Sequence, residues 1–242
     1  KLMNDIDFTG NFLQPIGGGA ASTEKTFAGT FDGQNYTISN FKVESSVTGN
    51  ATAGLFGDIS GDAVVKNVNV DGAVVNSTHY AGGVVGYIRS KCNVLVENCN
   101  VKNSTITSKP EWTGSEWDNG DKVGGVVGFQ ATGERGGSPV SKITGCSVAG
   151  TTIQGYRDLG GIIGCSEAQV LNNKVLEGVV ITVDNTHNYK HYTKKDQYNV
   201  DHIVGRPNNV KYYETLKIEG NTGTCTLIIP QSTVSVKTAA EL

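Results

Sequence analysis

Residues 108–121 contain both tryptophans of the chain, and their side chains could bind a sugar. Trp112 and Trp117 lie among acidic residues, with Glu116 and Asp118 on either side of the second ring. An exposed indole ring can cover the C–H face of a sugar, while carboxylates accept hydrogen bonds from its hydroxyls. The segment therefore predicts a glycan-binding surface. The alternative is that the two rings fold back over the base of their own loop.

A second aromatic segment, residues 185–199, suggests a recognition surface of the same kind. Tyr189, His191 and Tyr192 lie there among several lysines. Aromatic side chains of this type are enriched where proteins recognise partners. The alternative is a solvated loop whose tyrosines pack on the body of the protein.

The residue types argue against catalysis. Four acidic residues in 108–121 could supply the two carboxylates of an inverting glycosidase, which lie about 6.5–9.5 Å apart. They lie on a loop, however, and an acid and base pair is normally held on rigid elements. The chain also lacks a G-x-S-x-G elbow and a phosphate-binding loop. We expect a non-enzymatic protein, with a polysaccharide lyase or glycoside hydrolase as the alternative.

The cysteines and acidic residues predict no metal ion and no cofactor. The five cysteines form no C-x-x-C pair and have no histidine at ligand spacing, which argues against zinc. Residues 118–121 are only a fragment of a calcium loop. Cys99 and Cys146 occupy the same place in consecutive repeats, about one strand spacing apart. They form either a disulfide or two steps of a buried ladder of free thiols.

Charge and hydropathy limit the partners. The net charge of −3 and the lack of a basic run predict no affinity for nucleic acid or for an anionic membrane. No apolar stretch approaches the length that spans a bilayer. The chain opens in mid-pattern and shows no signal peptide, which indicates a trimmed mature protein or an excised segment.

Two short phrases alternate along the chain and reveal an internal repeat. The first is a glycine phrase, in which paired glycines precede two branched apolar residues and a further glycine. It occurs at 81–86, 123–128 and 159–164, with a shorter copy at 53–57 and a degenerate copy at 201–205. The second is an Asn or Gly followed by alternating apolar residues, at 38–43, 66–70, 97–101, 144–148 and 171–175, and faintly at 219–222.

The repeat predicts an all-β solenoid. Each unit contains three runs rich in Val, Ile and Thr bounded by Gly and Asn, which is typical of short strands. Stacked as coils, such units form a right-handed parallel β-helix, here of about six coils. Glycine would allow a positive φ and a close approach of the coils. Asn would tolerate the αL corner and could hydrogen-bond its neighbours in the coils above and below. A β-propeller is the alternative. We expect one domain over residues 1–242, with a lead-in or cap at 1–25, repeats at 26–230 and a tail at 231–242.

Insertions in the repeat predict where a ligand would bind. The spacing from the Asn phrase to the next glycine phrase is extended in the third and fifth intervals, by residues 108–121 and 185–199. Because both follow the third run of their unit, both loops should leave the same corner two coils apart, about 10 Å along the axis. The two loops would then form the walls of a groove. The short turn 154–158, which contains Tyr156, would form its floor.

Several motifs resemble GLUG-motif repeat proteins, namely 27–33, 36–40 and Gly54-Leu55-Phe56-Gly57. Residues 4–7 and 15–17 also match the lead-in of that family. The resemblance implies a secreted or surface β-helix protein of bacteria, attached to adhesin-like chains, and supplies no catalytic motif. His202 departs from the pattern where a glycine is expected, so the last coil is expected to be irregular or capping.

Together these features predict an extracellular or cell-surface module for adhesion or ligand presentation. Its partner would be a host or matrix glycan or protein, contacted by the residues of the two loops and the turn: Trp112, Glu116, Trp117, Asp118, Tyr156, Tyr189, His191 and Tyr192. A structural spacer within a larger surface protein is the alternative. An uncapped apolar coil at residues 215–236 would favour the spacer, and a polar cap would favour a free-standing module.

Overall fold

The computed structural model is a parallel β-helix. It describes residues 1–19, 26–45, 51–109, 122–131, 141–167, 169–184, 199–207 and 216–229. All regular secondary structure in these ranges is β-strand, and the strand pairs are parallel. Five sheets run along the axis, and the chain visits them in the order sheet 1 to sheet 5 in each coil. The predicted fold class is confirmed, and the β-propeller is wrong because its blades require antiparallel strands.

The strands of each sheet come from successive coils. Sheet 1 contains β2 (Thr30–Asp32), β7 (Val64–Lys66), β12 (Leu95–Glu97), β17 (Lys142–Thr144), β22 (Gln169–Leu171) and β27 (Lys217–Glu219). Sheet 2 contains β1 (Ile6–Asp7), β3 (Thr37–Ser39), β8 (Asn69–Asp71), β13 (Asn100–Lys102), β18 (Ser147–Ala149) and β23 (Lys174–Val175). Sheet 3 contains β4 (Lys42–Ser45), β9 (Val74–Ser77), β14 (Thr105–Ser108), β19 (Thr152–Gly155), β24 (Val180–Val183) and β28 (Thr226–Ile228).

Sheets 4 and 5 contain the glycine phrases. Sheet 4 contains β5 (Thr52–Ala53), β10 (Tyr80–Gly82), β15 (Lys122–Gly124), β20 (Leu159–Gly160) and β25 (Val200–Asp201). Sheet 5 contains β6 (Phe56–Ile59), β11 (Val85–Ile88), β16 (Val127–Gln130), β21 (Ile163–Ser166) and β26 (Val204–Pro207). Within the described residues, five coils therefore have all five strands and a partial coil lies at each end, in agreement with the expected six or so.

The core is a set of apolar ladders along the axis. In sheet 3, for example, Val75 pairs with Ile106 and Ile106 with Ile153, and all three side chains are fully buried. Each coil thus buries a few branched side chains against the same positions of its neighbours. This explains how a chain of modest apolar content builds a continuous core.

In three copies the Asn phrase marks a left-handed corner between sheets 1 and 2, where Asn67, Asn98 and Asn172 have φ between 51° and 56°. Asn40 has the same conformation, with φ 56°, one corner further on, between sheets 2 and 3. Their side chains bond the neighbouring coil: Asn67 Nδ2 donates to Asp32 Oδ1 at 3.2 Å. The predicted αL conformation and the contacts between coils are both confirmed.

Asp32, at the start of this ladder, gives a testable pH dependence. Bonds from the Gln34 backbone N–H, and then from Asn67, lower its pKa from 3.8 to about 2. Because the folded pKa is depressed, its stabilising contribution is present above pH 3.8 and is lost as the pH falls through about 2. We expect the gap in unfolding midpoint between the wild-type protein and Asp32→Asn to be constant above pH 4 and to shrink towards pH 2. Thermal unfolding at a series of pH values checks this, and a gap that does not change with pH would contradict it.

The glycine phrase acts through close packing. A Cβ on Gly83 would lie 2.6 Å from the Gly125 carbonyl oxygen, and one on Gly125 would lie 2.3 Å from that of Gly161. The predicted close approach is therefore confirmed, but the positive φ is wrong, since the described glycines of these phrases have none. The phrase also bends between sheets 4 and 5, and the αL Asn separates sheets 1 and 2. For these two reasons a coil has five strands where three were predicted.

The cysteines are free thiols. Cys99 and Cys146 are buried in neighbouring coils, and the Cys99 backbone N–H points at Cys146 Sγ at 3.5 Å. Burial raises the pKa of Cys99 well above its ordinary value. Of the two alternatives that the sequence left open, the structure has the thiol ladder.

Candidate functional site

The two long insertions are anchored at one corner of the β-helix. Residues 109–121 connect β14 to β15, and residues 184–199 connect β24 to β25. Both connections run from sheet 3 to sheet 4, and the coil between them makes the same passage through residues 156–158. The bases of the two loops are thus two strand spacings apart, about 10 Å. The predicted common corner is confirmed for these anchoring residues.

Most of the predicted ligand contacts lie outside the described residues. This holds for Trp112, Glu116, Trp117 and Asp118 of the first loop and for Tyr189, His191 and Tyr192 of the second. Tyr156 is described, and it is only 9% exposed. It therefore supports the floor between the loops, with little surface of its own to offer a ligand.

Asp158 lies in the turn between the two loops, and its carboxylate connects two neighbouring coils. Its carboxylate is 1% exposed. Oδ1 accepts a 2.6 Å bond from Asn199 Nδ2, and Oδ2 lies 3.2 Å from Arg206 Nε. Asn199 is the last residue of the second insertion, and Arg206 is in β26. The buried carboxylate therefore fixes one base of that loop to the body of the β-helix.

Aromatic rings on sheets 4 and 5 form a second cluster outside the main core. Tyr87 and Phe129, on neighbouring strands of sheet 5, are stacked with ring centroids 5.3 Å apart and planes inclined by 15°. Tyr80 of sheet 4 contacts both rings at 5.3 Å. Because the two sheets meet at the glycine bend, their outward side chains converge there. The bend is thus concave and is filled by its own side chains.

Lys122 lies in this concave cluster. Its Nζ is 4.8 Å from the ring centroid of Tyr80 and 4.9 Å from that of Phe129. Burial lowers the pKa of this amine, and the ring faces compensate part of the lost hydration. Burial also raises the pKa of the neighbouring Cys165 thiol to about 11. Lys122 belongs to sheet 4 and Cys165 to sheet 5, so the two buried groups lie on the two sides of the bend.

A buried ion pair lies at the first complete coil of the same bend. Asp58 of β6 is fully buried and pairs with Arg89, whose guanidinium lies 5.7 Å from the Tyr87 ring centroid. Burial raises the pKa of Asp58, while Thr52 and Arg89 act in the opposite direction. The arginine therefore pairs with the acid and packs over the aromatic stack.

The concave cluster is a poor ligand surface. Tyr87 and Phe129 cover each other, so neither ring offers two free faces to a sugar. Asp58 and Asp158 are three coils apart, about 14 Å, which is too far for the carboxylate pair of a glycosidase. The cluster holds the base of the loop corner rigidly. Ligand contacts would therefore have to come from the loops themselves.

The sequence interpretation missed two features of this region. Asp158 was seen only as part of a turn, although its acidic side chain next to Arg157 was a signal. Further long connections, residues 131–141 and 208–216, run from sheet 5 to sheet 1. Counting from each glycine phrase to the following Asn phrase would have found them.

The fold and its anchored loops define a class of protein, a parallel β-helix with insertions at one corner. Neither a family model nor a solved structure matches the chain. The chain is similar to Halomucin of Haloquadratum walsbyi, with 29% identity over 137 residues. That match covers 53% of this chain and 1% of Halomucin.

Two further properties concern the part of the chain that the structure describes. These residues include no helix that is long and apolar enough to cross a membrane. They also contain no group of three or more His, Cys, Asp or Glu side chains that could hold a metal ion.

Proposed function

We propose that this protein is a non-enzymatic surface module that presents two neighbouring loops to an extracellular ligand. The ligand would be a glycan or a glycosylated protein of a host or matrix. The observation that carries the proposal is the common corner: the bases of 109–121 and 184–199 lie two coils apart. Both loops are therefore available to one ligand.

The residue types in the loops support this function. The first loop contains the two tryptophans with Glu116 and Asp118, and the second contains Tyr189, His191 and Tyr192. Aromatic rings beside carboxylates suit sugar recognition, because one ligand then meets both apolar and hydrogen-bonding groups. The buried Asp158 supports the second loop at Asn199, so less conformational freedom is lost on binding.

The proposed location has two supports. The resemblance to GLUG-motif proteins implies a secreted or surface protein, and the partial similarity to Halomucin agrees with an association with the surface. The chain spans 1% of the length of Halomucin, so the activity and partners of that whole protein are not transferred to it.

A glycan array tests the function directly. We expect the wild-type protein to bind one class of glycan and Trp112→Ala/Trp117→Ala to lose that signal at least tenfold, because the stacking rings are gone. Thr105→Ala, an exposed change on the wall of the β-helix, is the matched control and should bind normally. If the wild-type protein binds neither the glycans of the array nor a panel of matrix glycoproteins, the proposal is contradicted. If the double variant binds as well as the wild-type protein, the two tryptophans do not belong to the binding site.

A structural spacer remains the second candidate function. It is favoured by exposed apolar residues at the last described coil, where Ile218, Ile228 and Ile229 are 39%, 51% and 44% exposed. A polar feature at the same end favours the free-standing module. Asp201 replaces the glycine found in other coils, and its Oδ1 accepts a bond from the Ile203 N–H that would otherwise pair with a further coil.

A further inference from the structure

Three polar side chains occupy equivalent positions in consecutive coils at the start of sheet 4. Lys122 is the first residue of β15, and Asp158 and Asn199 directly precede β20 and β25. The register of these strands places Lys122 beside Asp158 and Asp158 beside Asn199. Neighbouring members are therefore about one strand spacing, 4.8 Å, apart along the axis. An amine, a carboxylate and a carboxamide thus form one row, with the acid in the middle.

The amine of Lys122 lies in an apolar environment. The residue is 9% exposed, and its Nζ lies against the rings of Tyr80 and Phe129. Nζ forms no ion pair with any residue that the structure describes. Burial lowers the pKa of this amine. The neutral form, which is the nucleophile, is therefore more accessible than in an exposed lysine.

The carboxamide of Asn199 is held by the acid. Its Nδ2 donates to Asp158 Oδ1 at 2.6 Å, and Asn199 is half-buried. On the other oxygen of the carboxylate, Arg206 Nε lies 3.2 Å from Asp158 Oδ2 and fixes its orientation. Asp158 therefore contacts the nitrogen that would leave if the carboxamide were attacked, and it is placed to give that nitrogen a proton.

We propose that the side chains of Lys122 and Asn199 join in an intramolecular amide bond, formed by the folded chain itself. Lys122 first turns from the Tyr80 ring towards Asp158, and its flexible four-carbon stem is long enough to span that one strand spacing. The carboxamide of Asn199 leans towards the same coil from the other side, because it bonds Asp158. The amine and the carboxamide then meet at the acid.

The reaction exchanges one C–N bond for another. The neutral Nζ of Lys122 attacks Cγ of Asn199, and a Cγ–Nζ bond forms. Asp158 accepts a proton from the attacking nitrogen and donates it to Nδ2, the Cγ–Nδ2 bond breaks, and ammonia leaves. Nothing is oxidised or reduced, and the step needs no co-reactant. Because the ammonia diffuses away, the bond persists once it has formed.

The bond would connect the ends of the two insertions. Lys122 directly follows residues 109–121, and Asn199 is the last residue of 184–199. A covalent link between them fixes the end of one loop to the end of the other across three coils. The link forms whether or not the loops bind a ligand, so it does not depend on the proposed function.

The intact mass of the denatured full chain tests the proposal. The wild-type protein should be lighter than its sequence mass by about 17 Da, the mass of ammonia, and proteolysis should give a branched peptide that contains residues 122 and 199. Lys122→Met and Asn199→Ala should each have the full sequence mass. Lys109→Met, which removes an exposed lysine at the same corner, is the matched control and should still show the loss of about 17 Da.

Asp158→Asn tests the acid separately from the two bonded side chains. The substitution keeps the shape of the side chain but removes the group that moves the proton. Such proton transfer contributes about 10²–10⁴-fold to a rate. Folded Asp158→Asn, checked by circular dichroism, should therefore yield no branched peptide of residues 122 and 199. The same yield of this peptide as in the wild-type protein would contradict the role of Asp158.

Three results overturn the proposed bond itself. The first is a wild-type chain with its full sequence mass. The second is a loss of about 18 Da, because water would then have left and Asp158 would be the residue bonded to the lysine. The third is a loss of about 17 Da that Lys122→Met retains, because the ammonia would then come from the cyclisation of another asparagine.

Discussion

Gly125→Ala should unfold the β-helix at far lower denaturant than the wild-type protein. The new Cβ would lie 2.3 Å from the Gly161 carbonyl oxygen and 2.6 Å from a methyl group of Val148. The first of these atoms belongs to the backbone of the next coil, so no side-chain rotation relieves the overlap. The coils would have to separate, with a loss of interior packing in both. We expect the free energy of unfolding to fall by about 3 kcal/mol or more, the upper range of overpacking effects.

Gly29→Ala is the matched control for this change. A Cβ there meets only ring atoms of Phe27, at 3.5 Å, which is ordinary contact. We expect a change within about 1 kcal/mol, as for most surface substitutions. Urea unfolding of both variants measures the difference. Equal midpoints for Gly125→Ala and Gly29→Ala would contradict the close-packing role of the glycine phrase.

Asp158→Ala should be the second most damaging change, with a loss of about 3 kcal/mol in the free energy of unfolding. The substitution leaves Arg206 and Asn199 without the buried carboxylate that they bond at 3.2 Å and 2.6 Å. An arginine that loses its partner in a largely buried position keeps the cost of desolvation without the compensating attraction. It also frees the end of the second loop, so proteolysis within 185–198 should become faster.

Lys66→Ala is the control for the ion pair. Lys66 Nζ lies 4.0 Å from Asp32 Oδ2, and its side chain is 35% exposed. Solvent screens such a pair, so we expect a loss below about 1 kcal/mol. If Asp158→Ala costs no more than Lys66→Ala in the same unfolding assay, Asp158 does not anchor the corner.

The repeated phrases predict much of the fold because each has a local physical cause. Asn40, Asn67 and Asn98 indicate an αL corner, and alternating Val and Ile indicate an interior ladder. The number of strands in a coil was wrong because it depends on where the backbone bends. The bend in the glycine phrase arises from the close approach of coils, which are far apart in sequence. A local pattern of Val and Ile does not contain that information.

The site was predictable in position and less so in composition. Counting insertions between phrases placed both loop bases at one corner. Tyr156 was expected on a ligand surface, yet it is only 9% exposed. The bond from Asn199 to Asp158 joins residues 41 positions apart. Such a contact follows from the register of two coils with unequal insertions, which the sequence alone does not show.

The distance between the two loop bases shows whether both loops leave the β-helix at one corner. Spin labels at Lys109 and Asp184, in a Cys225→Ser background, would be measured by electron paramagnetic resonance, since the other four cysteines are buried. We expect strong dipolar broadening, because the two backbones are two strand spacings, about 10 Å, apart. A control pair at Lys109 and Lys142, which are at the base of different corners, should show a longer distance. No broadening for Lys109 and Asp184 would place the loops apart and contradict a shared ligand surface.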